Sequence, residues 1–85
     1  SYNEAAKIAY DIAKSKDLFL AGDYAFRVEG QKTAAFELID KLLFQVSDEV
    51  IIPIGCGTNM TDYYKGFCEY KELVFINYLP KLTGV

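Results

Sequence analysis

Two glycines one residue apart, followed by a hydroxyl and an amide, make up the stretch of this chain best suited to chemistry: Gly55-Cys56-Gly57-Thr58-Asn59. Glycine has no Cβ, so the backbone at 55 and 57 can turn sharply and aim several N–H groups at one anion. An apolar run precedes these residues and an amphipathic pattern follows them. That places them at a strand-to-helix junction, where the positive end of the helix strengthens the same pocket. Thr58 can add a hydroxyl donor and Asn59 can cap the helix. Any phosphate ester would suit such a site; a turn that serves geometry alone is the competing reading. It is not a P-loop, because no G-x-x-x-x-G-K-[ST] is present. Nor is it a dinucleotide fingerprint, since Met60 stands where the third glycine of G-x-G-x-x-G is needed for close helix packing.

Other chemistry is scarce. The 85 residues include no histidine, which removes histidine catalysis and histidine metal sites. Cys56 and Cys68 are the two cysteines; one is in a loop and the other well along the next helix, too far apart for a disulfide. No CxxC suggests zinc. A thiol at a helix N-terminus can have a lowered pKa, but a nucleophilic Cys56 would have no histidine as its base. Asp62, Glu69 and Glu72 read as a solvated helix face, and the seven tyrosines as packing groups with hydroxyls at the rim. Nine basic and twelve acidic side chains give a net charge of −3, so no general nucleic-acid surface is expected. No apolar run approaches the roughly 20 residues that span a bilayer, and no signal peptide opens the chain. Two free thiols in an acidic chain point to the cytoplasm.

The elements that must position the loop alternate. Ser1 and Glu4 have capping-box spacing and open a helix over 2–15, with Ala5, Ile8, Ala9 and Ile12 on one face. A short strand is expected at 18–21, then an irregular stretch from Gly22 to Arg27. A second helix follows over 29–44, with Ala35, Leu38, Ile39 and Leu42 as its buried stripe. Residues 49–54 include five apolar residues in a row, Val50-Ile51-Ile52-Pro53-Ile54, a pattern expected of a central parallel strand covered on both faces. A third helix over 59–73 carries Asp62, Lys65, Glu69 and Glu72 on one side and Met60, Tyr63, Tyr64 and Phe67 on the other. A last strand is expected at 81–85. This is an α/β pattern, a three-layer fragment with a short, mostly parallel sheet. A hydrophobic content of 52% suits one globular unit. An opening Ser and a stop at Gly84-Val85, inside a strand, read as a piece of a larger enzyme, so association with itself or its parent is expected.

Four stretches match a known family in order. Glu29-Gly30-Gln31-Lys32-Thr33-Ala34-Ala35-Phe36-Glu37, Val50 with the run through Asn59, Lys65-Gly66-Phe67, and Leu79-Pro80-Lys81-Leu82-Thr83-Gly84-Val85 resemble threonine synthases. The resemblance implies a fold type II enzyme that uses pyridoxal phosphate to turn O-phosphohomoserine and water into threonine and phosphate. It makes residues 1–85 a single partial domain around the cofactor-phosphate loop, with Gly55, Cys56, Gly57, Thr58 and Asn59 holding that phosphate. It also puts Arg27 near the substrate phosphate, whose oxygens a guanidinium fork fits; an ion pair of Arg27 with Asp23 or Glu29 is the plainer reading. The partners so implied are the substrate, the remainder of the parent enzyme and a homo-oligomer.

Two departures qualify the match. Cys56 replaces an asparagine common in the family, and Ala21-Gly22-Asp23-Tyr24-Ala25-Phe26 differs from the usual Asn-Ser-x-Asn-Pro, which leaves a phosphoserine-using cysteate synthase open. The Schiff-base lysine of the family lies upstream in an S-x-K-D/N-R setting. Ser15-Lys16-Asp17 lacks the spacer and the arginine, so Lys16 reads as a solvated lysine and the fragment alone as inactive. A nucleotide-binding half-fold and a non-catalytic interaction fragment are the alternatives.

Overall fold

The computed structural model describes residues 1–22 and 25–85. Among these residues, four helices and two strands follow one another as α1 (Tyr2–Ser15), α2 (Ala25–Gln31), α3 (Thr33–Lys41), β1 (Glu49–Ile52), α4 (Thr58–Glu72) and β2 (Lys81–Gly84). The strands form a two-stranded parallel sheet in which Glu49, Val50, Ile51 and Ile52 stand beside Lys81, Leu82, Thr83 and Gly84. Its ladder continues past the strand ends. Lys81 N–H donates to the Asp48 carbonyl at 2.9 Å, and Ile54 N–H to the Val85 carbonyl at 2.8 Å. Parallel strands require a long crossover, and α4 supplies it. The expected α/β class, with a short parallel sheet, is what the structure shows.

The core lies on one face of that sheet. Ala35 and Ile39 of α3, Phe67 of α4 and Ile76 form its centre, with Val50, Leu82 and Tyr70 packed around them. Phe36 stacks on Tyr70 with ring centroids 4.4 Å apart. Helices α3 and α4 meet at Gly66, where a Cβ would stand 2.5 Å from the Lys32 carbonyl oxygen and 2.7 Å from Ala35 Cβ. Only a bare α-carbon permits that approach.

Several details differ from the sequence expectation. No strand forms at 18–21: α1 ends with Asp17 in the left-handed region (φ 50) and Leu18 N–H closing on the Ala13 carbonyl at 2.8 Å. The residues after it pair with neither strand of the sheet, and a lone strand cannot satisfy its backbone. The second helix starts earlier than 29 and divides at Lys32, where Ala35 N–H takes the Lys32 carbonyl in a tighter, three-residue turn. Of the stretch expected to be irregular, Ala25 to Arg27 are helical, and Asp23 and Tyr24 lie outside the described residues. Nor is β1 covered on both faces. Ile52 is 2% exposed but Ile51 is 62% exposed, because helices cover one side only.

The first helix has its capping box: the Ser1 hydroxyl accepts from Glu4 N–H, and Glu4 reaches back to the N-terminus. Its apolar stripe, however, is not buried; Ile8 and Ile12 are both exposed. Hence the second helical layer is not assembled, and α1 lies off the core. The radius of gyration, 16.4 Å, exceeds the roughly 12 Å of a compact chain this long.

Candidate functional site

The loop stands where the sequence places it. After β1 the chain bends through residues 55–57, and Gly57 is the N-cap of α4 in the left-handed region, at φ 85 and ψ −9. An L side chain is strained there. A Cβ at Gly55 or Gly57 would meet nothing within 4 Å, so the loop faces open space. The first turn of a 15-residue helix leaves N–H groups without intrahelical acceptors, and its dipole favours negative charge nearby. The expected cap by Asn59 is not made, because Asn59 lies inside the helix and Gly57 is the cap.

Cys56 and Thr58 turn toward each other, with Sγ and Oγ1 2.9 Å apart. The Thr58 hydroxyl and the Thr58 N–H both draw the Cys56 thiol below its ordinary pKa, and the charge of Arg27 adds to this. Arg27, near the start of α2, lies close enough for its charge to act on both the loop and Asp62 of α4. Arg27 is on α2, and residues 55–59 lead into α4, the helix whose Lys65 pairs with Glu29 of α2. Of the two ion-pair partners expected for Arg27, Asp23 lies outside the described residues and Glu29 binds Lys32 and Lys65.

These contacts belong to a charged seam that the sequence reading missed. Lys32 Nζ donates to Glu29 at 2.5 Å and to Glu69 at 2.8 Å, and Lys65 pairs with Glu29. Asp62 is 1% exposed. Neither of its carboxylate oxygens has a hydrogen-bond partner. Burial pushes its pKa up, and Arg27 opposes that rise. Of the face expected to be solvated, Asp62, Lys65 and Glu69 therefore dock on α2 and the start of α3, while Glu72 is exposed as expected. The available signal was Gly66: a glycine inside a helix often marks a close approach, and Asp62 and Glu69 share its face.

Beyond the loop, a cavity of about 370 Å³ is lined by Met60, Thr61, Tyr64, Pro80 and Leu82, beside the first turns of α4. Both cysteines are free. Among the described residues no cluster of three or more metal-ligating side chains occurs. No helix there is long and apolar enough to cross a membrane. Lys16 caps the C-terminal end of α1 and is exposed.

No protein-family model matches the chain. Curated relatives do. A threonine synthase of Methanocaldococcus jannaschii is 41% identical over 86 residues, covering all of this chain and 21% of the relative. One from Methanosarcina acetivorans is 36% identical over the same span and share. One from Synechocystis is 51% identical over 59 residues, or 69% of this chain and 15% of the relative. The chain spans about a fifth of the length of the first two and is a threonine-synthase-like segment.

Proposed function

We propose, for a chain similar from end to end to one fifth of a threonine synthase, that it supplies the phosphate-binding loop of such a pyridoxal-phosphate enzyme. In this reading residues 1–85 are a partial domain built around that loop. The observation that carries the proposal is Gly57, left-handed at the N-cap of α4 directly after a parallel strand, with open space over the loop. A donor set of backbone N–H groups and one hydroxyl fits a phosphate group. The reaction of the parent would be conversion of O-phosphohomoserine and water to threonine and phosphate.

The parts divide the work physically. The N–H groups of Gly55, Cys56, Gly57, Thr58 and Asn59 would hold the cofactor phosphate, and the Thr58 hydroxyl would turn from Cys56 Sγ to the anion. Arg27, whose charge already acts on Cys56, would orient the substrate phosphate at the same mouth. Bound pyridoxal phosphate would supply the electron sink that this chain's side chains lack. The lysine that bonds the cofactor would come from sequence outside this segment; Lys16 is an exposed residue at the end of α1. The parent would act in the cytoplasm as a homo-oligomer.

Amide chemical shifts of the 85-residue chain, titrated with pyridoxal phosphate, unphosphorylated pyridoxal, inorganic phosphate and NAD, test this reading. Pyridoxal phosphate and inorganic phosphate should move the amides of residues 55–59, weakly and less at high salt; pyridoxal should not. Equal shifts with pyridoxal, or shifts only elsewhere, would overturn it. Borohydride reduction of the pyridoxal phosphate sample should give scattered, low labelling of lysines and no turnover of O-phosphohomoserine.

A further inference from the structure

The strangest group in the molecule is Asp62. It is one of the three largest side chains that are fully buried, and it is the sole charged residue among the described residues in that class. Its two carboxylate oxygens have no partner. A carboxylate in such a place is very costly when ionised and ordinarily keeps its proton instead. Asp62 shares a face of α4 with Lys65 and Glu69, which pair with Glu29 of α2 and Lys32 of the α2–α3 junction, so it lies in the seam that α2 closes. Helix α2 is only seven residues long and has no buried residue of its own. What fastens it are the pairs of Lys65 with Glu29 and of Lys32 with Glu29 and Glu69.

We propose that Asp62 is a positioning residue that works as a proton-operated latch in the seam between α2 and α4, holding α2 in place when protonated and loosening it when ionised. The sign follows from burial. Packing against α4 favours neutral Asp62, so the packed pKa lies above that of the open form, which is about 3.9. Closure is therefore complete below the ordinary aspartate value and weakens as pH rises through the raised one. Each unit of that rise increases the opening constant about tenfold. Arg27 is the charge from α2 that acts on Asp62, and it opposes the effect in part. The other charged groups of the seam are Glu29 of α2, Lys32 at the α2–α3 junction, and Lys65 and Glu69 of α4. Acid that protonates Glu29 or Glu69 would loosen α2, the opposite direction, so the two contributions can be separated. An anion on the loop adds negative charge near Asp62 and so should draw a proton onto it.

The last statement rests on the proposed phosphate loop; the latch itself does not. Hydrogen exchange of the α2 amides, followed from pH 4 to 8 without any anion and corrected for intrinsic rates, tests it. Wild type should open increasingly as pH rises, relative to Asp62→Asn and Asp62→Leu, which carry no titrating group. At pH 7 both variants should exchange more slowly than wild type in α2, with α1 unchanged. Using two neutral variants guards against one failing to fold. If wild type and both variants share one pH profile, the latch is refuted. A second arm adds sulfate, which does not titrate in this range, and measures proton uptake from buffers of different ionisation heat. Uptake in wild type that is lost in Asp62→Asn supports the coupling. Sulfate binding without uptake refutes the coupling, and no sulfate binding with an intact exchange result refutes the loop reading alone.

Discussion

Replacing Gly66 with alanine should separate the helices that hold the loop in place. The new methyl would stand 2.5 Å from the Lys32 carbonyl oxygen and 2.7 Å from Ala35 Cβ. Carbon contacts relax at about 3.5 Å, so α3 and α4 would have to part by roughly 1 Å. The obstacle is backbone at the α2–α3 junction and cannot rotate away. Overpacking of this kind costs about 1–3 kcal/mol, while alanine recovers about 1 kcal/mol of helix preference over glycine. With the contact on a fixed carbonyl, the upper part of that range applies, and we expect a net loss of about 1–2 kcal/mol. Each kcal/mol should lower the melting temperature by roughly 4–8 °C in a domain of this size. Circular dichroism melts and urea titrations read it directly. Gly30→Ala is the control. That glycine also lies in a helix, but its Cβ would meet nothing within 4 Å, so the variant should gain up to about 1 kcal/mol. A Gly66→Ala protein as stable as wild type would show that the helices do not meet this closely.

Three more outcomes are expected. Gly57→Ala forces an L side chain to φ 85 at the N-cap of α4, and should cost roughly 1 kcal/mol in urea unfolding and weaken phosphate shifts at residues 55–59. Thr58→Val removes the hydroxyl that lowers the Cys56 thiol pKa, so the alkylation rate of Cys56 should rise at a higher pH than in wild type; an unchanged profile would count against that contact. Val74→Gly should stabilise the chain by about 1 kcal/mol, because Val74 sits at φ 62 and is 77% exposed, so strain is relieved with little burial lost.

The strained helix ends show how local rules and context interact. Helices α1, α3 and α4 all finish with a five-residue closing bond: Leu18 N–H to Ala13, Phe44 N–H to Ile39 and Phe75 N–H to Tyr70, each after a left-handed residue. Those residues are Asp17, Leu43 with Phe44, and Val74, and none is glycine. Glycine is the usual signal for this ending, so its absence hid the end of α3, at Lys41 instead of 44. Hydrophobic contacts stabilise the turns instead; Phe44 and Phe75 approach to 5.8 Å between ring centroids.

What the sequence determined by itself is the local chemistry along the chain. Capping at Ser1 and Glu4, the α3 stripe of Ala35 and Ile39, the apolar run of β1 and the glycine-bounded loop all depend on neighbours within a few residues. Such preferences survive in any context, so these elements were legible, as was the order that resembles a threonine synthase. Tertiary structure alone decided which faces meet water. The periodicity of Asp62, Lys65 and Glu69 is the same whether solvent or another helix lies opposite, and only the approach of α2 made that face an ion-paired seam with a buried carboxylate. The Ile8 and Ile12 stripe is the converse case: a good apolar face that no described element covers. Likewise 18–21 has strand-like residues but no strand to bond, since hydrogen bonds between strands are supplied by a neighbour distant in sequence and never by the segment itself.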